Sequence, residues 1–179
     1  RVIEEISAIF SKFGTMRYGE DVDQLQHALQ AAALARADDA PDSLVAAALL
    51  HDLGQFVDDA GNAAEQRGID ARHEETGAAL LARGGFGPAV TEPVRLHVDA
   101  KRYLCIAEPG YAESLSAASR LSLRLQGGPM TPAEAEAFAR HRWFAEAIRL
   151  RGYDDGGKRR NWAVPGLDTY WPLLRSLLG

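Results

Sequence analysis

The sequence contains a single cysteine, Cys105, among its 179 residues. One cysteine cannot form an internal disulfide or a cysteine-rich zinc site. Long apolar runs are also missing, because the 46% of residues that are hydrophobic never form the roughly 20-residue run that crosses a bilayer. Charges interrupt the opening segment RVIEEISAIFSKFG, which predicts an amphipathic helix rather than a signal peptide. We therefore expect a cytoplasmic protein.

The sequence has no concentration of positive charge. Its 20 lysines and arginines are interleaved with 25 aspartates and glutamates, for a net charge of −5. A nucleic-acid-binding surface needs a clustered basic face, whereas the short run Lys158-Arg159-Arg160 is typical of a solvated loop. We expect no nucleic-acid partner and no membrane partner.

Alternating patterns of strand length are nearly absent, and apolar residues recur with helical spacing. This spacing predicts helices over 2–13, 21–38, 42–53, 73–83, 87–103, 111–126, 132–150 and 168–178. Glycine or proline separates them, for example at Gly14, Pro41 and Gly61. Asp42 or Ser43 is predicted to cap the third helix, and Thr131 to begin a capping box. We expect residues 1–179 to form one all-α domain, a helical bundle with a metal site in its core.

The most informative residues are the adjacent pair His51-Asp52, which follows an apolar run. A buried carboxylate is costly, and a bound cation is one of the few partners that make its burial tolerable. The pair also fits the polar end of a core helix, with Gly54 as its cap. Neighbouring helical side chains point about 100° apart, so both groups can serve metal ions only if the helix end or a second ion lets them converge. The doublet alone leaves these alternatives open.

Three further histidines lie in or beside segments with helical spacing: His27, His73 and His97. Singly, each fits an ordinary core or surface histidine. Together with the doublet and the acidic pair Asp154-Asp155, they provide ligands for one ion or for two ions bridged by Asp52. Imidazole and carboxylate without thiolate suit iron, manganese or zinc, and a two-metal site can hydrolyse phosphate esters or activate oxygen. The fifth histidine, His141, is interpreted as a surface or structural residue.

The order H…HD…H…H…D resembles that of the HD-domain superfamily. Within it, the chain is most similar to mixed-valent diiron oxygenases that cleave carbon–phosphorus bonds, relatives of inositol oxygenase. The matching segments are Tyr18-Gly-Glu20, HDLGQF, RHEETGAALL, RLHVDAKRYLC and RLRGYDDGGK. The resemblance implies an Fe(II)/Fe(III) pair that uses O2 as a co-substrate. The implied metal ligands are His27, His51, Asp52, His73, His97 and Asp154, with Asp52 as the bridge.

Several cations lie close in sequence to these ligands. Lys101 follows His97 by one helical turn, while Arg151 and Lys158 flank Asp154. Cations beside a metal site suit a phosphate or phosphonate, although the same spacing also occurs in ordinary surface charge patterns. The resemblance implies that Lys101, Arg151 and Ser119 bind a phosphonate, and it makes Lys158 a further candidate. We expect Asp52, Lys101 and Arg151 to be the catalytic residues.

The resemblance also implies a role for Glu20 at the other end of the substrate. In the family, a glutamate at this position contacts a cationic nitrogen. This predicts a 1-hydroxyphosphonate that bears a 2-amino or 2-trimethylammonio group. Its oxidative cleavage would release phosphate together with glycine or glycine betaine.

Two positions depart from the aminophosphonate-cleaving relatives. Arg17 replaces a tyrosine that covers one iron, with Tyr18 displaced by one residue, and Gln55 replaces a histidine. We include Tyr18 and Gln55 among the candidate substrate contacts. A further hypothesis is that aromatic residues such as Tyr18, Tyr153 or Trp162 face a quaternary ammonium group.

Two other functions stay open. A metal-dependent phosphohydrolase is the commoner activity of HD sequences, and in it a metal-bound hydroxide would attack phosphorus without consuming oxygen. The RxxDDxxK segment and the short chain favour the oxygenase. A non-catalytic module that binds a ligand and regulates a partner is the third alternative, and the complete set of ligands disfavours it.

Overall fold

The computed structural model describes residues 1–56 and 72–179. Within these ranges it contains ten α-helices, two short 3-10 helices and no β-strand, which confirms the predicted all-α fold. The α-helices are α1 (Val2–Phe13), α2 (Gln24–Ala37), α3 (Asp42–Leu50), α4 (His73–Arg83), α5 (Pro88–Ala107), α6 (Tyr111–Ser114), α7 (Ala117–Leu125), α8 (Pro132–Ala139), α9 (Phe144–Gly156) and α10 (Trp171–Ser176). The 3-10 helices are Leu53–Phe56 and Leu167–Tyr170. The break predicted at Gly61 lies outside the described residues.

The start of α2 and the N-cap of α3 differ from prediction, and α5 begins one residue later than predicted. Helix α2 begins at Gln24 rather than residue 21, because the Asp23 side chain accepts a hydrogen bond from the Gln26 amide and caps the helix. The predicted cap of α3 is wrong: Pro41 is the N-cap residue, and no side chain caps this end. The capping box of Thr131 and Glu134 is confirmed, with both reciprocal bonds present.

Several predicted helices end early or are interrupted. The helix predicted over 42–53 ends at Leu50 and gives way to a turn, and that over 111–126 is split where Ser116 becomes extended and caps α7. The helix predicted over 132–150 is split between α8 and α9, where the His141 ring accepts a hydrogen bond from the Trp143 amide at 3.0 Å. The last predicted helix starts with a 3-10 turn. By contrast, α5 and α9 run past the predicted ends, and α9 carries Asp154.

Helix α5 lies at the centre of the fold and packs against α3, α4, α8 and α9. A large apolar cluster connects the first five helices, α1 through α5, to the C-terminal helix α10. A smaller cluster around Leu96, Phe138 and Ala147 connects α5, α8 and α9. The polar site therefore lies between helices that apolar contacts hold in place. None of the described helices is long and apolar enough to cross a membrane. That residues 1–179 form one domain stays a prediction.

A close approach between two backbones fixes the segment after Asp52 against α4. A Cβ atom added to Gly54 would lie 1.9 Å from the carbonyl oxygen of His73 and 2.6 Å from the backbone nitrogen of Gly77. Only glycine fits this space, so the glycine of HDLG holds the 3-10 turn directly against the start of α4. The contact sets the spacing between Asp52 and His73.

We expect Gly54→Ala to lower the free energy of unfolding by about 1–3 kcal/mol, because the two backbones must separate to admit the methyl group. Gly152→Ala is the matched control. Gly152 lies exposed inside α9, and a Cβ atom added there would meet nothing within 4 Å, so alanine should leave stability unchanged or raise it by up to ~1 kcal/mol. Urea unfolding of both variants measures the difference. Equal stabilities would contradict the close approach.

Candidate metal centre

Five segments of the chain bring the six predicted ligands to one place. They contribute His27 from α2, His51 and Asp52 from the turn after α3, His73 from the start of α4, His97 from α5 and Asp154 from α9. The ligand atoms form two groups, each with its atoms within 4.8 Å of one another: His27, His51, Asp52 and Asp154 in one, and Asp52, His73 and His97 in the other. Asp52 belongs to both groups.

The Asp52 carboxylate lies between the two groups and presents one oxygen to each. Its Oδ2 atom is 3.3 Å from the Nε2 atoms of both His27 and His51. Its Oδ1 atom is 3.2 Å from His73 Nε2 and 3.6 Å from His97 Nε2. A carboxylate with this arrangement can bridge two cations. His51 and Asp52 can both face the centre because α3 ends at Leu50 and the two residues lie in a turn, where neighbouring side chains need not point about 100° apart as they do in a helix.

Backbone carbonyls orient three of the histidines. The Nδ1 atoms of these rings bond to carbonyl oxygens, from His27 to Gly157 (2.9 Å), His51 to Ala48 (2.7 Å) and His97 to Val94 (2.6 Å). Because a carbonyl oxygen only accepts, each Nδ1 carries a proton and each Nε2 faces the centre, where it can give a lone pair to a metal ion once its own proton is displaced. Metal-binding histidines are usually held in this way.

The resulting cluster of acceptors needs a cation. The Nε2 atoms of His27 and His51 are 3.1 Å apart, and Asp154 Oδ1 is 3.0 Å from the first and 3.4 Å from the second. Lone pairs at such distances repel unless a proton or a metal ion lies among them. The residues therefore fit a metal ion in each group, and a set of nitrogen and oxygen ligands suits iron, manganese or zinc.

The charges within the cluster keep its carboxylates ionised. Burial alone would raise the pKa of Asp52, but His51 and the hydrogen bonds from neighbouring imidazoles hold that pKa well below its usual value. Burial likewise opposes charge on Asp154, and Arg151 and His51 outweigh it and lower its pKa. Burial lowers the pKa of His97 to about 4. Burial also opposes charge on His27 and His51, but Asp52 and Asp154 outweigh it and raise the pKa of both rings. A metal ion binds the deprotonated forms of these side chains, so it would displace protons from His27 and His51.

A cavity of about 60 Å³ opens onto the cluster and reaches all seven predicted substrate contacts. These are Tyr18, Glu20, Gln55, Lys101, Ser119, Arg151 and Lys158. The cavity also contacts residues that sequence reasoning missed: Gln24, Val98, Ala118, Ser122 and Gln126. Helical spacing could have found two of them, because Gln24 precedes His27 by three residues and Ser122 follows Ser119 by three. The Gln24 side chain is buried, and its carbonyl oxygen has no hydrogen-bond partner.

Two lysine side chains converge on Ser119 at the wall of the cavity. The Nζ atom of Lys101 donates to the Ser119 carbonyl oxygen at 3.3 Å, and that of Lys158 donates to the Ser119 hydroxyl at 3.1 Å. Lys101 is only 3% exposed. Burial, together with the positive charge of Arg151, lowers the pKa of Lys101 to about 8. This corner of the cavity is suited to an anion.

Arg151 is held by a network that sequence reasoning did not identify. Its Nη2 atom is 2.7 Å from both Asp154 Oδ2 and Asp155 Oδ1. The Tyr111 hydroxyl donates to the other oxygen of Asp155 at 2.5 Å. Tyr111 therefore fixes Asp155, Asp155 fixes Arg151, and Arg151 fixes the metal-facing carboxylate of Asp154. No spacing pattern could have linked Tyr111 to residues some forty positions away.

The hypothesis of an aromatic environment for a quaternary ammonium group is wrong for two of its three residues. The Tyr153 hydroxyl donates to Asp38 outside the cavity, and Trp162 packs beneath the Arg159 guanidinium at 4.7 Å. Neither side chain lines the cavity, because each lies on a face of its segment that is turned away from the metal cluster.

Tyr18, the third, does line the cavity. Its ring is stacked against Phe56 with the ring centres 6.0 Å apart, and its backbone is left-handed with φ +47°. Arg17, which stands in place of the family's iron-covering tyrosine, is exposed and donates to the Asp21 carbonyl. Of the two neighbours, Tyr18 is therefore the one that lines the cavity.

The sequence is similar to known proteins of one family. The family model of the HD domain matches residues 24–135. Hydroxymethylphosphonate dioxygenase of Gimesia maris is 44% identical over 98% of this chain and 89% of its own length. The glycine-betaine-forming 1-hydroxy-2-(trimethylamino)ethylphosphonate dioxygenase of Leisingera caerulea is 37% identical over 99% and 90%. An uncharacterized protein of Acanthamoeba polyphaga mimivirus, L432, is 31% identical over 99% and 84%. The chain belongs to the HD-domain family, in the branch that contains the phosphonate dioxygenases.

Proposed function

We propose that this protein cleaves the carbon–phosphorus bond of a small 1-hydroxyphosphonate with O2 at a pair of iron ions. The observation that carries the proposal is the Asp52 carboxylate, whose two oxygens face two separate groups of ligands at 3.2–3.6 Å. A single-ion site has no use for such a bridge. The relatives' names favour oxygen chemistry over the phosphohydrolase alternative.

The proposed reaction balances with one molecule of O2. The C1–H, C–P and O–O bonds break, while new bonds to oxygen form at carbon and at phosphorus. The carbon leaves as a carboxylate and the phosphorus as phosphate, and O2 accepts the four electrons. A substrate with the predicted 2-amino or 2-trimethylammonio group gives glycine or glycine betaine, and a one-carbon substrate gives formate.

Iron bound by the six ligands would supply the redox chemistry with dioxygen, and the chain's own residues would bind and orient the substrate. Lys101 and Lys158 converge on Ser119 and form a corner for the phosphonate, with Arg151 behind them. Buried ammonium groups attract an anion strongly, because little water screens them. The small cavity excludes bulk water from the reacting carbon. Gln24 offers an unpaired amide oxygen to a substrate hydroxyl or a water molecule.

The proposal is tested by anaerobic purification followed by measurement of iron content and EPR spectroscopy. We expect a coupled mixed-valent signal that changes when a 1-hydroxyphosphonate is added. Exposure to O2 should then release one phosphate per O2 consumed. With labelled dioxygen, the label should appear in the products. A mononuclear protein that hydrolyses phosphoesters without oxygen would establish the phosphohydrolase instead.

The pKa of Lys101 predicts an alkaline limit to activity. Because that pKa lies at about 8, raising the pH through this value removes the ammonium charge that faces the phosphonate. The apparent kcat/KM should therefore be highest below about pH 8 and fall above it. Initial rates between pH 6 and about 10 measure the profile.

Lys101→Arg is the matched variant, because a guanidinium stays charged across this range. Its profile should be flat where that of the unmodified protein falls, whatever its absolute rate. A falling limb that persists unchanged in Lys101→Arg would assign the pH dependence to another group.

A further inference from the structure

We propose that Lys158 takes the place of a substrate ammonium group opposite Glu20, so that this chain selects hydroxyphosphonates that lack a cationic substituent. The inference rests on the proposed function and concerns the part of the substrate attached to C1. It departs from the sequence-based prediction of a 2-amino or 2-trimethylammonio substrate.

The Glu20 carboxylate already has partners within the chain. Lys158 Nζ lies 2.5 Å from Glu20 Oε2, and the Ser116 hydroxyl donates to the same oxygen at 3.1 Å. The two ionic side chains are only 16% and 12% exposed. Since a largely buried carboxylate whose charge is already balanced by Lys158 gains little from a second cation, a substrate ammonium would have to displace Lys158 to form a strong ion pair.

The ion pair also limits the length of the substrate. Glu20 and Lys158 line both the cavity at the metal cluster and a second cavity of about 240 Å³, which is also bounded by Ser116 and Asp155. They therefore form part of the wall between the two spaces. A group that extends from C1 away from the metals must open this wall, whereas a bare hydroxymethyl group fits in front of it.

The charges around the cavity at the metal cluster also favour a substrate without a cationic group. The other carboxylates of this cavity, Asp52 and Asp154, belong to the cluster of candidate metal ligands and face its histidines. With Glu20 and Lys158 balancing each other, Lys101 supplies positive charge at the wall, which attracts a phosphonate and repels an ammonium group. Among the described residues that line the cavity, Tyr18 is the single phenylalanine, tyrosine or tryptophan, too little for the aromatic surround that favours quaternary ammonium groups.

The test compares hydroxymethylphosphonate with its 2-amino and 2-trimethylammonio ethyl counterparts on the iron-loaded protein. We expect kcat/KM to favour hydroxymethylphosphonate by roughly 10- to 100-fold, as is typical when one buried charge pairing is lost. Lys158→Met leaves Glu20 without its cation, so the ratio should move toward the 2-amino substrate by a similar factor. Anaerobic calorimetry, in which turnover cannot occur, should give dissociation constants that shift in the same direction.

Arg160→Met is the matched control. Arg160 pairs with Asp21 at 2.9 Å and joins the same two segments as Lys158 and Glu20. Both side chains of this pair are exposed and lie outside the cavity at the metal cluster, although Asp21 borders the second cavity. Removing Arg160 tests whether loosening the contact between these two segments is enough to change substrate selectivity. We expect the ratio of kcat/KM between the substrates to stay the same. Lys158→Gln, which keeps a hydrogen-bonding side chain, provides a second variant should the methionine variant not fold.

The outcomes separate the inference from the proposed function. A preference of the unmodified protein for an ammonium substrate, or an unchanged ratio in the folded Lys158 variants, would overturn the inference and leave C–P cleavage intact. Failure to release phosphate from all three substrates with iron and O2 present would count against the proposed function itself. A ratio that changes equally in Arg160→Met would also overturn the role of Lys158.

Discussion

Asp52→Asn is expected to lower kcat/KM by at least roughly a thousand-fold, which corresponds to the several kcal/mol that a correctly placed metal ion contributes to a transition state. Asparagine has the same shape as aspartate, so the fold should persist. It offers one carbonyl oxygen and one NH2 group in place of the two oxygens that face His27 and His73. One side of the bridge therefore turns from an acceptor into a donor and can no longer hold a cation.

Metal content distinguishes this loss from a general defect. We expect the iron in anaerobically reconstituted Asp52→Asn to fall from two ions per chain to one at most, and the coupled EPR signal to disappear. We expect bound iron to raise the melting temperature, and this rise should be smaller in Asp52→Asn, because the stabilisation by a ligand depends on how tightly the ligand binds. A variant that retains both ions and the coupled signal would show that Asp52 is not the bridge.

Asp42→Asn is the matched control for charge. Asp42 lies at the other end of α3, is exposed, and makes no capping hydrogen bond. The substitution removes the same charge from the same helix without touching the cluster. Iron content and kcat/KM should both stay close to those of the unmodified protein.

Candidate ligands could be picked out in the sequence because His27, His73 and His97 lie in or beside segments with helical apolar spacing. The pair His51-Asp52 directly follows an apolar run, and the resemblance to the HD-domain family pointed to Asp154. The burial of His27 and His97 follows from the helical spacing. The burial of Lys101 beside the cluster follows from its position one helical turn after His97. The bridging geometry of Asp52 could not be predicted in this way. It depends on α3 ending at Leu50, and helix ends are decided by local turns and packing rather than by periodicity.

Contacts between distant segments could not be predicted from the sequence, and the reason is physical. The pairing of Glu20 with Lys158 and that of Tyr111 with Asp155 join residues whose separation is set by the tertiary fold. Spacing arguments tell which residues share a helix face, but not which faces meet. The same limit explains Tyr153, which lies one residue before Asp154 on α9 and so points about 100° away from it, toward Asp38.

Arg151→Met is expected to lower the free energy of unfolding by about 3–5 kcal/mol, the usual cost of removing one partner from a buried ion pair. The guanidinium is 3% exposed and bonds to both Asp154 and Asp155 at 2.7 Å. Methionine fills much of the same volume but removes the positive charge that lies between the carboxylates of Asp154 and Asp155. Asp154 would then take up a proton more readily and bind metal more weakly, so iron affinity should fall together with stability.

The loss of stability in Arg151→Met should depend on pH, and the direction of this dependence can be derived. Burial raises the pKa of Asp154, but Arg151 and His51 outweigh burial and hold it below the usual value. A depressed carboxylate pKa stabilises the fold above the pKa of the unfolded chain, about 3.9, and this stabilisation is lost as the pH falls through the lower folded value. The difference between the unmodified protein and Arg151→Met should therefore be full at neutral pH and shrink in acid.

Two further variants test whether the charge of Arg151 or its geometry is responsible for the expected loss of stability and iron affinity. Arg151→Lys restores the charge without the paired N–H groups that reach both carboxylates, so its stability and iron affinity should lie between those of the unmodified protein and Arg151→Met. Arg149→Met removes a neighbouring arginine of α9 whose bond to Asp38 is exposed, and it should change little. Urea unfolding of the metal-free proteins isolates the ion pair from the metal. If Arg151→Met were as stable as Arg149→Met at neutral pH, Arg151 could not be what keeps Asp154 charged and aimed at the cluster.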